Sequence, residues 1–97
     1  MNKINLFSSL NVLNLSYNKI SIIRKGQFDR LVDLRILDLS YNEIFYFEEN
    51  VFKGDGLNNL LELYLNNNQL TELEEGDLDN LPELKIIDFD EYPFNNI

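Results

Sequence analysis

The sequence predicts an α/β solenoid, a right-handed coil whose short strands stack into one curved parallel sheet. Three observations predict it. The pattern L-x-x-L-x-L-x-x-N-x-(L/I) occurs three times, in Leu10–Ile20, Leu34–Ile44 and Leu60–Leu70. The copies begin 24 and then 26 residues apart, and a fourth begins at Leu84, another 24 residues on, with Ile87 and Phe89 in register. Within each copy, apolar residues two places apart carry the period of a strand. About 20 residues then lead to the next copy, a crossover length that calls for parallel strands and right-handed connections. Self-similarity at this period is the signature of a stack of coils, and 97 residues make one small domain.

Taken in order, residues 1–9 read as the tail of a preceding coil, with Ile4 and Phe7 fitting its last two columns. Coils 10–33, 34–59 and 60–83 follow, and 84–97 is a partial terminal one. The strands are expected at roughly 13–15, 37–39, 63–65 and 87–89. Apolar residues at the first, fourth, sixth and eleventh places point inward and stack on their equivalents. The return path repeats as well: Ile23, Phe47 and Leu73 share a column, as do Phe28, Phe52 and Leu78, and Leu31, Leu57 and Leu81. The two extra residues of the second coil are expected at Gly54-Asp55-Gly56, where glycine absorbs a detour.

Asn18, Asn42 and Asn68 stand where each strand ends and the chain turns into the core. A side-chain amide has both donors and an acceptor, so one residue bonds its own turn and the neighbouring coil. Leaving such backbone groups unpaired costs about 1–3 kcal/mol each. A structural Asn ladder is therefore the reading for these three.

These residues resemble the leucine-rich repeat family over nearly the whole chain. Leu37-Asp38-Leu39-Ser40-Tyr41-Asn42, the 24-residue unit and the Phe column at 28 and 52 are similar to the "typical" animal subclass of Toll-like receptor ectodomains and small leucine-rich proteoglycans. The resemblance implies a convex side of mostly turns and short helical segments. Tyr92-Pro93-Phe94 resembles the lead-in to a cysteine-rich terminal cap, although Tyr92 replaces the usual Asn and no cysteine follows. The expectation is a piece of a receptor-like or secreted recognition protein, extracellular or at the cell surface; a minimally capped protein is the other reading. The absence of cysteine fits a cytoplasmic alternative.

Composition narrows the function. Net charge is -9, which opposes nucleic acid and anionic membrane surfaces. With neither His nor Cys, the usual general base, thiol nucleophile and commonest metal ligands are missing, so an enzyme is not expected and no cofactor or metal is assigned. Asp88-x-Asp90-Glu91 lacks the loop that would complete a calcium site. The expected function is a protein-interaction module that binds a basic or mixed protein surface on the concave face. The alternative is a scaffold that self-associates into oligomers through poorly capped ends.

The candidate binding residues are the outward ones: Tyr17, Arg35, Asp38, Tyr41, Glu62, Tyr64, Asp88 and Asp90. Tyr offers contact area and a hydroxyl at low entropic cost, and the acids favour a cationic partner. Asn14-Leu15-Ser16 is an N-glycosylation sequon, though a strand face is a crowded place for a glycan and chance occurrence is preferred. Glu48-Glu49 and Glu72-x-Glu74-Glu75 read as a solvated convex face.

Overall fold

The computed structural model describes residues 9–53, 56–70 and 78–89. Four short strands, β1 (Val12–Asn14), β3 (Ile36–Asp38), β5 (Glu62–Tyr64) and β6 (Ile86–Asp88), form one sheet in the order β1-β3-β5-β6. All neighbours are parallel, with Leu13 opposite Leu37, Leu37 opposite Leu63, and Leu63 opposite Ile87. The apolar pattern sets this register, because a slip of one residue would turn every core leucine to solvent. Each strand begins one residue earlier than the leucine pairs suggest. The pairing nevertheless runs on past the strand ends: the Leu15, Leu39 and Leu65 amides donate to the Asp38, Tyr64 and Asp88 carbonyls at 2.8 Å each.

The core is the stacked apolar columns. Leu34, Leu37, Leu39 and Ile44 of the second coil are fully buried, as are Leu60, Leu63 and Leu65 of the third. Their equivalents Leu10, Leu13, Leu15 and Ile20 in the first coil are only partly buried against this cluster. On the return path, Phe28, Leu31, Phe52, Leu57 and Leu81 are buried, and Phe47 meets Phe52 edge-on with centroids 5.5 Å apart.

The convex side departs from expectation. Among the described residues it has no helix. It carries turns and a second, two-stranded parallel sheet, β2 (Ile22–Ile23) beside β4 (Tyr46–Phe47). The β-branched and aromatic residues at these places favour extended backbone, and matching coils bring them to hydrogen-bonding distance. The Glu43, Phe45 and Glu48 amides donate to the Ile20, Ser21 and Ile23 carbonyls at 2.9–3.0 Å. Glu48 is not purely solvated either: its Oε1 accepts from the Lys25 amide at 3.0 Å, and Oε2 lies 3.8 Å from Arg24.

The long second coil also differs in detail. Gly54 and Asp55 lie outside the described residues. Gly56 is needed for close approach, since a Cβ there would come within 1.8 Å of the Phe28 carbonyl oxygen in the preceding coil. The left-handed residue that closes the detour is its neighbour, Leu57, with φ 61°.

Candidate functional site

A three-residue strand over a core buries its middle residue and turns the two flanking ones outward. In β3 and β5 the middle leucine is fully buried while its neighbours are partly exposed. The outer face of the main sheet therefore has two rows. One is Val12, Ile36, Glu62 and Ile86, and the other is Asn14, Asp38, Tyr64 and Asp88. Adjacent members of a row sit about 4.8 Å apart at the backbone.

β1 and β3 each end in a built turn. Asp38 Oδ1 accepts from the Ser40 amide at 2.9 Å and the Ser40 hydroxyl at 2.6 Å. Asn14 and Ser16 repeat this arrangement at the same two distances. Such local bonds from Asp or Asn favour a turn over a continued strand. The residue after Ser16, Ser40 and their equivalent Asn66 falls in the left-handed region: Tyr17 at φ 58°, Tyr41 at 57° and Asn67 at 60°. Asn tolerates this region; a tyrosine there is uncommon.

The turn brings Tyr17 and Tyr41 face to face, with centroids 4.4 Å apart and ring planes within 9°. Both remain open to solvent, Tyr17 73% and Tyr41 43% exposed. Their backbones are held to the following coil, the Tyr17 amide donating to the Ser40 carbonyl at 3.2 Å and the Tyr41 amide to Asn66 at 3.0 Å. Partial desolvation beside the stacked ring, then the Tyr41 phenol and the Asp38 carboxylate, raise the Tyr17 phenol above the usual tyrosine range. Tyr64 donates its hydroxyl to Glu62 Oε1 at 2.5 Å. That bond is the first cause of its own raised pKa, with partial desolvation and the charges of Glu62, Asp88 and Asp38 adding to it. Asp38 thus contributes, as the smallest cause, to the raised pKa of both tyrosines.

Behind the face runs the Asn ladder. Asn42 accepts from the Ile20 amide at 3.1 Å and donates to the Leu15, Leu39 and Ser40 carbonyls at 3.0–3.1 Å. Asn68 does the same one coil on, accepting from Ile44 and donating to Leu39, Leu65 and Asn66. Asn18 is exposed and donates to the Leu15 and Ser16 carbonyls of its own turn.

A family model described as Leucine rich repeat matches residues 4–44 and 47–91. The chain belongs to the leucine-rich repeat family. No curated protein matches it. Leucine-rich repeats generally serve as protein–protein interaction modules.

Of the residues singled out in the repeat sequence, Asp38, Tyr64 and Asp88 share one row, Glu62 is bonded to Tyr64, and Tyr17 pairs with Tyr41. Arg35 precedes β3 with its side chain exposed, and its carbonyl accepts from the Leu61 and Glu62 amides. Asn14 is exposed at the end of β1, but its side-chain oxygen is engaged by Ser16. Asp90 lies outside the described residues, as do the ends 1–8 and 90–97, Leu73, and the acids Glu72, Glu74, Glu75 and Glu91. Among the described residues, no group of three or more His, Cys, Asp or Glu is placed to hold a metal ion, and no helix is long and apolar enough to cross a membrane. The sequence reading missed the ring stack and the strand-end caps. Both left a signal: Ser-Tyr-Asn recurs at 16–18 and 40–42, and Asn-x-Ser and Asp-x-Ser recur at 14–16 and 38–40.

Proposed function

We propose that this leucine-rich repeat chain is a recognition module that binds a protein partner across the outer, concave face of its four-stranded sheet. On this reading it belongs to a receptor-like or secreted protein of the "typical" animal subclass, working outside the cell or at its surface. The observation that carries the binding reading is the solvent-open Tyr17–Tyr41 stack, held in a backbone region unfavourable to tyrosine and bordered by Asp38. Exposed tyrosines beside acids supply anchors and charge complementarity for a basic partner.

Peptides selected from a random display library against the intact chain test this reading. Tyr41→Asn combined with Tyr64→Ala should weaken the selected peptides at least about thirtyfold, the scale of an interface hot spot, with folding retained. Glu49→Gln combined with Lys53→Gln, exposed on the return path beyond β4, should leave binding unchanged. Association should also slow as salt rises, because the chain carries a net charge of -9 and exposed charges are screened. Peptides lost with the return-path pair and kept with the tyrosine pair would place binding on the opposite side.

A further inference from the structure

We propose that the Tyr17–Tyr41 stack seats an arginine side chain from an extended basic segment of a partner, the guanidinium lying against the rings with Asp38 as counter-charge. This rests on the protein-recognition reading above and adds the chemistry of the group recognised. The rings of the pair lie nearly parallel at 4.4 Å, and Tyr17 is 73% exposed, so aromatic surface stays open beyond the contact with Tyr41. Asp38 caps the turn that carries Tyr41, its Oδ1 accepting from the amide and hydroxyl of Ser40, the residue immediately before that ring.

Charge selects the occupant. Asp38, Glu62 and Asp88 project from three neighbouring strands, and none has an ion-pair partner among the described residues, where the single ion pair is Arg24 with Glu48 on the convex side. An apolar segment laid here would desolvate these carboxylates with no counter-charge to offset it, the bonds from Ser40 to Asp38 and from Tyr64 to Glu62 being neutral ones, and burying an unpaired charge is costly. A cation both compensates them and meets the negative face of an aromatic ring. Arginine suits the place better than lysine, because a planar, weakly hydrated guanidinium stacks on a ring while its edge donates to a carboxylate.

The neighbouring coils supply clean variants. Asn67 occupies the left-handed position of the third coil, so Tyr17→Asn with Tyr41→Asn removes the rings and keeps a residue that fits the backbone. Asn14 caps Ser16 as Asp38 caps Ser40, so Asp38→Asn removes the charge and keeps the acceptor. The intact chain is titrated with the blocked peptide Gly-Arg-Gly-Arg-Gly, with its lysine counterpart, and with its citrulline counterpart, which is nearly isosteric and uncharged. Ring-proton shifts of the assigned tyrosines, affinity and thermal melting are followed together.

The arginine peptide should bind about tenfold more tightly than the citrulline peptide and several-fold more tightly than the lysine peptide, on the scale of a partly desolvated cation–π contact. It should move the ring resonances of Tyr17 and Tyr41. The double tyrosine variant and Asp38→Asn should each lose about tenfold in affinity, with melting little changed. Equal binding of the citrulline peptide, unmoved tyrosine resonances, or full affinity in the double variant would each overturn the assignment. If library-selected peptides bind the sheet face but carry no arginine, the arginine seat falls and the recognition face stands. If they bind the convex side, both fall.

Discussion

Asn42 shows how much of this architecture hangs on single side chains. Its amide closes four hydrogen bonds, two within its own turn and two to the preceding coil. The residue is 8% exposed, so water does not replace those partners. Asn42→Ala should therefore cost about 3 kcal/mol, from several backbone groups left unpaired. Asn18→Ala should cost clearly less, because the Asn18 bonds lie at an exposed turn. Urea denaturation of the two variants compares them directly, and equal losses would show that the exposed turn matters as much as the inter-coil bonds.

The Tyr64 phenol offers a second residue-scale expectation. Its bond to Glu62 favours the protonated form, so its folded pKa stands above the ordinary value of about 10. The folded state then holds this proton to higher pH than the unfolded state. The stabilising contribution is complete below the ordinary pKa and is lost as pH rises through the folded one. In Glu62→Gln the tyrosinate absorbance of Tyr64 should appear at lower pH than in the parent, and the alkaline fall in melting temperature should shift with it. An unchanged titration would mean that Glu62 does not hold this proton.

Each coil must close on its neighbour, and Gly56 sets the tightest tolerance. A methyl at that position would meet the Phe28 carbonyl oxygen at 1.8 Å and the Asp29 Cα at 2.8 Å. Both are backbone atoms, which cannot rotate away. Gly56→Ala should destabilise the chain by about 3 kcal/mol, the upper range for overpacking. A melting temperature within a degree or two of the parent would show that the second and first coils can separate here. The glycine was visible in the sequence as the site of the extra residues, but its reason was not. Length alone suggested conformational freedom, whereas the constraint is the distance between two coils. The sheet of β2 and β4 was hidden for the same reason: two-residue strands have no periodicity of their own and exist only because matched coils align them.

At the scale of the molecule, Leu63 lies in the third coil with strands paired on both sides, and it is fully buried. Leu63→Ala should cost about 2–5 kcal/mol, against a total of about 5–15 kcal/mol for a chain of this size. Thermal melting should fall by many degrees, since coils that contact only their neighbours lose stability on both sides of a defect. A shift of a degree or two would contradict the core assignment.

The sequence by itself determined the repeat, the parallel strands, their register and the leucine core. These follow from two periods, two residues along a strand and about two dozen from coil to coil, and a buried face permits no other phase. It also determined which residues face outward, because alternation leaves no choice once the leucines point in. The tertiary structure decided what the outward residues became. Tyr17 and Tyr41 looked like strand residues a strand spacing apart; the caps of Asn14 and Asp38 end the strands early, the left-handed turn swings both rings off the sheet line, and coil stacking presses them together. The turn itself recurs with the coil period, but the contact between the two rings depends on how closely one coil lies on the next, which only the folded stack sets.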